Sequence, residues 1–201
     1  MEKDSFIANI LQYISLTPEE EQYILAHVTV RKFARGAYIN REGEVNRYTN
    51  FITKGSARAY FIDPNGHEHV VQLGIRNWWI SDYTSFITQK PGLLYCEALE
   101  PTETCSISYE NLQLLYEKVP ALERFFRLII QKAYASFHNR ILHSLSMDAE
   151  ERYRRFRESY PEMDMQLSQK HIASYLGMSA EFLSKIKKRL MIKEKNQGKP
   201  V

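Results

Sequence analysis

Lys170, Glu181, Lys185, Lys188 and Arg189 are the side chains whose types and spacing best suit chemistry, and that chemistry is recognition of a polyanion rather than bond making. Glu181 and Lys185 stand four positions apart, so a helix running through them shows a carboxylate and an ammonium side by side. A glutamate can accept from the amino group of cytosine, and a lysine can donate to O6 and N7 of guanine. Lys170, Lys187, Lys188 and Arg189 suit phosphate contacts, and Gln169, Ser179, Ala180 and Ser184 complete the candidate DNA-facing set.

Two short helices around a tight turn must position these groups. Ser168 is a candidate cap for the first helix, whose apolar positions are Ile172, Ala173 and Leu176. Gly177 falls where the chain must reverse, in a backbone conformation that favours glycine. Ser179 can cap a second helix that buries Leu183, Ile186 and Leu190. Small Ala173 permits a close crossing, and Met178 fills the turn. The arrangement is a helix-turn-helix, which lays its second helix in the major groove. A helical hairpin with a merely solvated basic face is the plainer alternative.

The charge distribution favours the first reading. The 201 residues carry a net +3, but the stretch 166–201 holds eight Lys/Arg against two Glu, a local +6 that leaves the remainder at −3. A basic end on a mildly acidic body predicts a polyanion partner at that end. At 44% hydrophobic and 25% charged residues the composition is that of a globular protein. No apolar run is long enough for a membrane span and residues 1–4 lack a signal-peptide layout, so a cytoplasmic location with no membrane partner is expected. Cys96 and Cys105 lack metal-type spacing and read as buried, reduced thiols.

Enzymatic chemistry finds little support. His67 and His69 would share one face of a strand and could hold a metal, as in a cupin-like enzyme, but residues 70–74 provide no further carboxylate ligand. There is no Gly-x-Ser-x-Gly, phosphate-binding loop or His-Glu-x-x-His. No catalytic residue, metal or cofactor is expected. Trp78 and Trp79 read as a core and rim pair, with Trp79 also a candidate wall of a ligand pocket.

The rest of the chain divides by periodicity. Thr17-Pro-Glu-Glu20 is a capping box with proline at the first helical position, so a helix is predicted over 18–26, preceded by another short one. Between 28 and 108 short strands alternate with turns: 28–33, 48–54, 57–62, 67–73, 93–99 and 102–108, with a hairpin at Asp63-Pro-Asn-Gly66. Such spacing predicts a barrel, sandwich or jelly roll. Helices follow over 111–118, from Pro120 to about 145, and over 148–160, where Pro161 marks a break. The long helix carries two apolar stripes, Leu122, Phe126, Ile129, Ala133 and, beside it, Ile130, Phe137, Ile141. One can pack on the β-domain and the other on a partner chain; both could also be internal.

This order of elements resembles the cAMP receptor protein (Crp/Fnr) superfamily of bacterial regulators, with the best local matches at Gly43, Gly55, Gly66 and over 172–190. The phrase Asn77-Trp-Trp-Ile-Ser-Asp82 is similar to a Bacteroidetes-type branch. The resemblance implies an α+β chain in three parts. These are a jelly-roll, cyclic-nucleotide-binding-like sensor domain with N-terminal helices (1–118), a long dimerisation helix (119–146) and a helix-turn-helix DNA-binding domain with a basic tail (147–201). It further implies a homodimer on a palindromic operator of double-stranded DNA, with Leu122, Phe126, Ile129, Ala133 and Phe137 as candidate interface residues. RNA polymerase is an implied partner, and a small-molecule effector of unassigned identity is another.

The chain departs from the family's pattern at the phosphate cassette, roughly Gly-Glu-Leu followed by Arg-Ser/Thr-Ala. Ser81 and Asp82 replace the glycine and glutamate, Tyr83 follows, and Gly92-Leu93 stands where Arg-Ser would be. A buried phosphate without its cation would be poorly compensated, which argues against cAMP. Trp79, Ser81, Asp82 and Tyr83 remain candidates for another effector's pocket, and a true cyclic-nucleotide sensor with an atypical cassette is the alternative. Ala180 stands where the family's recognition helix often has a basic residue. The residues after Leu190 look too few for a β-hairpin wing, and 193–201 are expected to be mobile.

Overall fold

The computed structural model describes residues 2–197, with side chains from 3 to 193. Two helices lead, α1 (Glu2–Leu11) and α2 (Pro18–Ala26). In the second, the Glu20 N–H donates to Thr17 Oγ1 at 3.2 Å and the Thr17 N–H to Glu20 Oε2 at 2.8 Å, the reciprocal box the sequence predicts. Eight strands follow: β1 (Thr29–Phe33), β2 (Tyr38–Asn40), β3 (Tyr48–Lys54), β4 (Ala57–Ile62), β5 (Glu68–Gly74), β6 (Trp79–Ile80), β7 (Tyr95–Ala98) and β8 (Thr102–Ser108). Helix α3 (Tyr83–Thr88) interrupts them between β6 and β7. They form two antiparallel four-stranded sheets, ordered β1-β8-β3-β6 and β2-β7-β4-β5. This is the jelly-roll-like architecture expected, in an α+β chain. Strands β2 and β6 are too short to register as a sequence period.

Gly55 shows why the β3–β4 turn accepts no side chain. Its φ is +82°, and a Cβ would lie 2.6 Å from the Pro101 carbonyl oxygen.

Six helices follow among the described residues: α4 (Tyr109–Lys118), α5 (Ala121–Ser146), α6 (Ala149–Ser159), α7 (Pro161–Gln166), α8 (Gln169–Tyr175) and α9 (Ala180–Gln197). Pro161 does not merely break a helix. It occupies the first turn of α7, where its missing N–H costs nothing.

Three clusters form the core. Phe6, Ile10, Phe51, Ile107, Leu115 and Phe125 pack the N-terminal helices, α4 and the start of α5 against the first sheet. Ile39, Ile52, Ala57, Ala59, Ile80 and Cys96 fill the space between the sheets. The third joins Tyr60, Val70, Leu73 and Ile75 of the roll to Phe156, Met163, Ile172, Leu183 and Ile186, so the C-terminal helices share a core with the second sheet. Both cysteines are buried and unbridged, and burial pushes the Cys96 thiol up.

The long helix corrects one expectation. Leu122 and Phe126 are fully buried in the chain's own first core, so they are not available to a partner. Ile129 and Ile130 are half-buried against the same cluster, whereas Ala133 and Phe137 are exposed. Farther along, Tyr134, Ile141, Leu142 and Leu145 are also exposed.

Candidate nucleic-acid interface

The helix-turn-helix is built on three side chains buried beneath α9. Leu183, Ile186 and Leu190 repeat every three to four residues, and each is less than a tenth exposed. Ile172 and Ala173 of α8 are buried opposite them. Between the helices Gly177 takes φ +68°, and the Met178 N–H closes the turn on the Ala173 carbonyl at 3.0 Å. Ser179 Oγ accepts from the Phe182 N–H at 3.1 Å and caps α9. Ser168 sits at the first cap position, but its side chain makes no capping hydrogen bond. Its carbonyl alone accepts from the His171 and Ile172 amides.

With its apolar side buried, α9 turns Glu181, Phe182, Lys185, Lys188 and Arg189 outward. Ser179 is also exposed, while Ala180 and Ser184 are half-buried at the edge of this face. The Glu181 carboxyl is held below its ordinary value by its own backbone N–H and the Ser179 hydroxyl, with a smaller contribution from Lys185. Glu181 and Lys185 are thus brought together as the spacing requires.

Other predicted contacts are redirected by the structure. The Gln169 side chain spends a donor on the Ala180 carbonyl, Nε2 to O 2.7 Å, and so ties the start of α8 to the start of α9. Lys187 is half-buried, bonded to Asp164 Oδ1 at 2.8 Å and lying over the Tyr153 ring. It braces the domain rather than facing outward. Arg189 Nη1 lies 3.8 Å from Glu150 Oε2, and Lys193 Nζ reaches the same carboxylate at 2.5 Å. Lys170 is exposed near Glu68 of the roll. The expected mobile tail is helical as far as Gln197; residues 198–201 lie outside the described residues.

The effector-pocket candidates are engaged by groups of the chain itself. Trp79 packs into an aromatic group with Phe6, Phe51, Phe125 and Phe126, centroids 5.4–5.9 Å away, and its Nε1 donates to Asn9 Oδ1 at 3.0 Å. It joins the roll to the N-terminal and long helices. Ser81 Oγ accepts from Asn46 Nδ2 at 2.8 Å and donates to the Tyr48 carbonyl at 3.2 Å. Asp82 is buried, and its carboxylate accepts three backbone N–H groups, from Ser85, Leu93 and Leu94, each at 3.1 Å. Tyr83 packs on the first core, where burial raises its hydroxyl pKa. Gly92 is required here, because a Cβ would collide with the Asp82 carboxylate.

A cavity of about 440 Å³ opens instead beside β1 and the 44–48 loop, lined by Arg31, Ile39, Asn40, Glu44, Arg47 and Tyr48 among others. Arg31 lies 4.6 Å above the Tyr48 ring and 4.9 Å from that of Phe33, with Nη1 3.4 Å from Asn50 Oδ1. Its walls come from β1, β2 and the turn before β3, whose local pattern reads only as strands and turns.

His67 and His69 are exposed and both face Asp63, at 3.6 Å and 2.9 Å. Among the described residues no group of three or more His, Cys, Asp or Glu side chains is arranged to hold a metal. No helix among them is long and apolar enough to cross a membrane.

The sequence pattern of the cyclic nucleotide-binding domain family matches residues 30–119, the roll and α4. The chain is 23% identical over 196 residues to the transcriptional activator protein Anr of Pseudomonas aeruginosa, covering 92% of this chain and 80% of that one. It is 26% identical over 148 residues to the anaerobic regulatory protein of Haemophilus influenzae, covering 67% of this chain and 56% of that one. Residues 30–119 thus carry the pattern of a cyclic nucleotide-binding domain, and over most of its length the chain is similar to regulators of the Crp/Fnr type. Among solved Crp/Fnr-like folds, the c-di-GMP-responsive global regulator CLP of Xanthomonas campestris superposes with a TM-score of 0.70 at 16% identity. That match covers 89% of this chain and 93% of the other. In Crp/Fnr terms the roll and the helical C-terminal part both stand where the resemblance put them.

Proposed function

We propose that this chain is a DNA-binding transcription regulator of the Crp/Fnr type that acts as a homodimer and reads a palindromic operator with α9. The observation that carries the proposal is the outer face of α9, where Glu181, Lys185 and Lys188 are exposed above a fully buried apolar ridge. A helix held this way can enter a major groove without giving up its own packing. Glu181 and Lys185 are proposed as base readers. Lys170, Lys188 and Arg189 are proposed as phosphate contacts, and Gln169 as the residue that sets the angle of α9.

Residues 1–118 would form the sensor, 119–146 the dimerisation helix and 147–201 the DNA-binding part. The dimer surface shifts along α5 to Ala133, Phe137, Ile141, Leu142 and Leu145, because Leu122 and Phe126 are internal. RNA polymerase is the further protein partner this role calls for, and catalysis has no part in it.

The sensor is proposed not to answer to cAMP. In the 81–94 loop three backbone N–H groups already hold an anion, the carboxylate of Asp82. A phosphate placed there would meet that charge and find no arginine in the loop to offset it. The cavity beside Arg31 is the better candidate for an effector.

Operator selection from a random DNA library, followed by binding at two salt concentrations, tests the proposal. Wild-type protein should select a two-fold symmetric motif. Lys188→Ala should weaken binding to every sequence and lower the slope of log K against log salt by about one per protomer. Failure to select any motif would overturn the regulator reading.

A further inference from the structure

Phe182 is an apolar side chain on a face that is otherwise charged. It is 44% exposed in the first turn of α9, next to Glu181 and one turn before Lys185 and Ile186. Ile186 points into the core and is fully buried, so the packing of α9 does not explain a phenyl ring at 182. Its neighbours on the outer face are ionic, and its backbone N–H is fixed to Ser179 Oγ at 3.1 Å. The backbone that carries the ring is therefore fixed by the cap, and the ring is left partly exposed.

We propose that Phe182 reads the 5-methyl group of a thymine in each operator half-site. The inference rests on α9 entering the major groove. A phenyl ring neither neutralises a phosphate nor completes a hydrogen-bond pattern with a base edge. The methyl of thymine is the apolar group that the major-groove edge of a base pair presents, and phenylalanine can contact it. The first turns of a recognition helix are the part that reaches base edges. Glu181 and Lys185 flank Phe182 on this face and would fix hydrogen bonds to neighbouring bases, so the ring and the two charges read chemically different features of one short sequence.

Replacing thymine by uracil in DNA removes the methyl and leaves every hydrogen-bonding group in place. The operator selected by wild-type protein is synthesised with each half-site thymine changed to uracil in turn, symmetrically in both halves. Affinities are then measured by fluorescence anisotropy for wild type and Phe182→Ala. At one position uracil should weaken wild-type binding about fourfold per half-site, about fifteenfold for the dimer, as expected for one buried methyl. Phe182→Ala should bind the thymine operator more weakly and show no further loss with uracil. Because Phe182 lies outside the buried ridge, the variant should keep its fold and its affinity for random-sequence DNA, which serves as the control. Selective wild-type binding that tolerates uracil at every position overturns methyl reading alone. So does an equal uracil penalty in Phe182→Ala, or an operator without thymine. Wild-type protein that selects no sequence overturns both this inference and the DNA-binding reading beneath it.

Discussion

The hydroxyl of Ser174 in α8 is bonded to the main chain of β5: Val70 N–H donates to Ser174 Oγ at 3.0 Å, and that Oγ donates to the Glu68 carbonyl at 3.1 Å. Strand β5 is an edge of its sheet, so Ser174 satisfies backbone groups that another strand would otherwise claim. Arg140 of α5 reaches the same seam, with Nη1 3.4 Å from both the Val70 and Tyr175 carbonyls and its guanidinium over the Tyr175 ring. The helix-turn-helix is thereby coupled to the roll through side-chain-to-backbone hydrogen bonds as well as apolar packing.

Ser174→Ala should loosen that seam. Two hydrogen bonds are lost, at a net cost of about 0.5–1.5 kcal/mol each. Amide exchange measured at Val70 should accelerate while exchange in β3 and β8 stays slow. Unchanged protection at Val70 would mean that the contact does not persist in solution.

Mild acidification should act on the same seam through His171. Burial, then the positive charges of Arg58 and Lys170, hold its pKa below the usual 6.5, with Glu97 and Glu68 pulling the other way. Its Nδ1 is buried and has no hydrogen-bond partner among the described residues. The docked state thus binds the proton less readily than the unfolded state does. The contribution of His171 is complete above about pH 6.5 and is lost as pH falls through that value and then the lower folded pKa. Denaturant titrations at pH 7.5 and 5.5 should show a smaller acid loss in His171→Gln than in wild type.

Substitutions along α5 should separate into two kinds. Phe137→Asp or Leu145→Glu puts a charge on a surface that is solvated in the single chain, so each should leave a folded monomer in sedimentation. Phe126→Ala removes a buried ring and should cost about 3–5 kcal/mol of stability, whatever the oligomeric state. Dimers that survive both charge substitutions would place the interface elsewhere.

In the 81–94 segment, Asp82→Ala should destabilise the roll, by about 1–3 kcal/mol for the buried Ser85 N–H if it stays unpaired. Gly92→Ala should have a similar effect, because its methyl needs the space the carboxylate fills. Thermal melts would check both. Calorimetry with cAMP should give no heat of binding at micromolar protein, and a micromolar dissociation constant would restore the cyclic-nucleotide alternative.

Local chemistry made much of this protein readable from its residues in order. The Thr17 and Glu20 capping box, the 3.6-residue ridge of Leu183, Ile186 and Leu190, and the left-handed turn at Gly177 each depend on neighbours a few positions away. The strands over 48–54, 57–62 and 102–108 came through for the same reason, since their turns carry glycine or proline at fixed offsets. What tertiary structure alone decided was which face of each element was already taken. Trp79 could have walled a pocket until Phe6, Phe51 and Phe125 closed around it from distant parts of the chain. Asp82 could have met a ligand until the backbone of Leu93 and Leu94 folded onto its carboxylate. Leu122 and Phe126 read as part of a stripe, and a helical period has no means of saying whether a stripe meets its own sheet or a second chain. The bond from Val70 to Ser174 joins residues far apart in sequence, and only the docking of α8 on β5 brings them within reach.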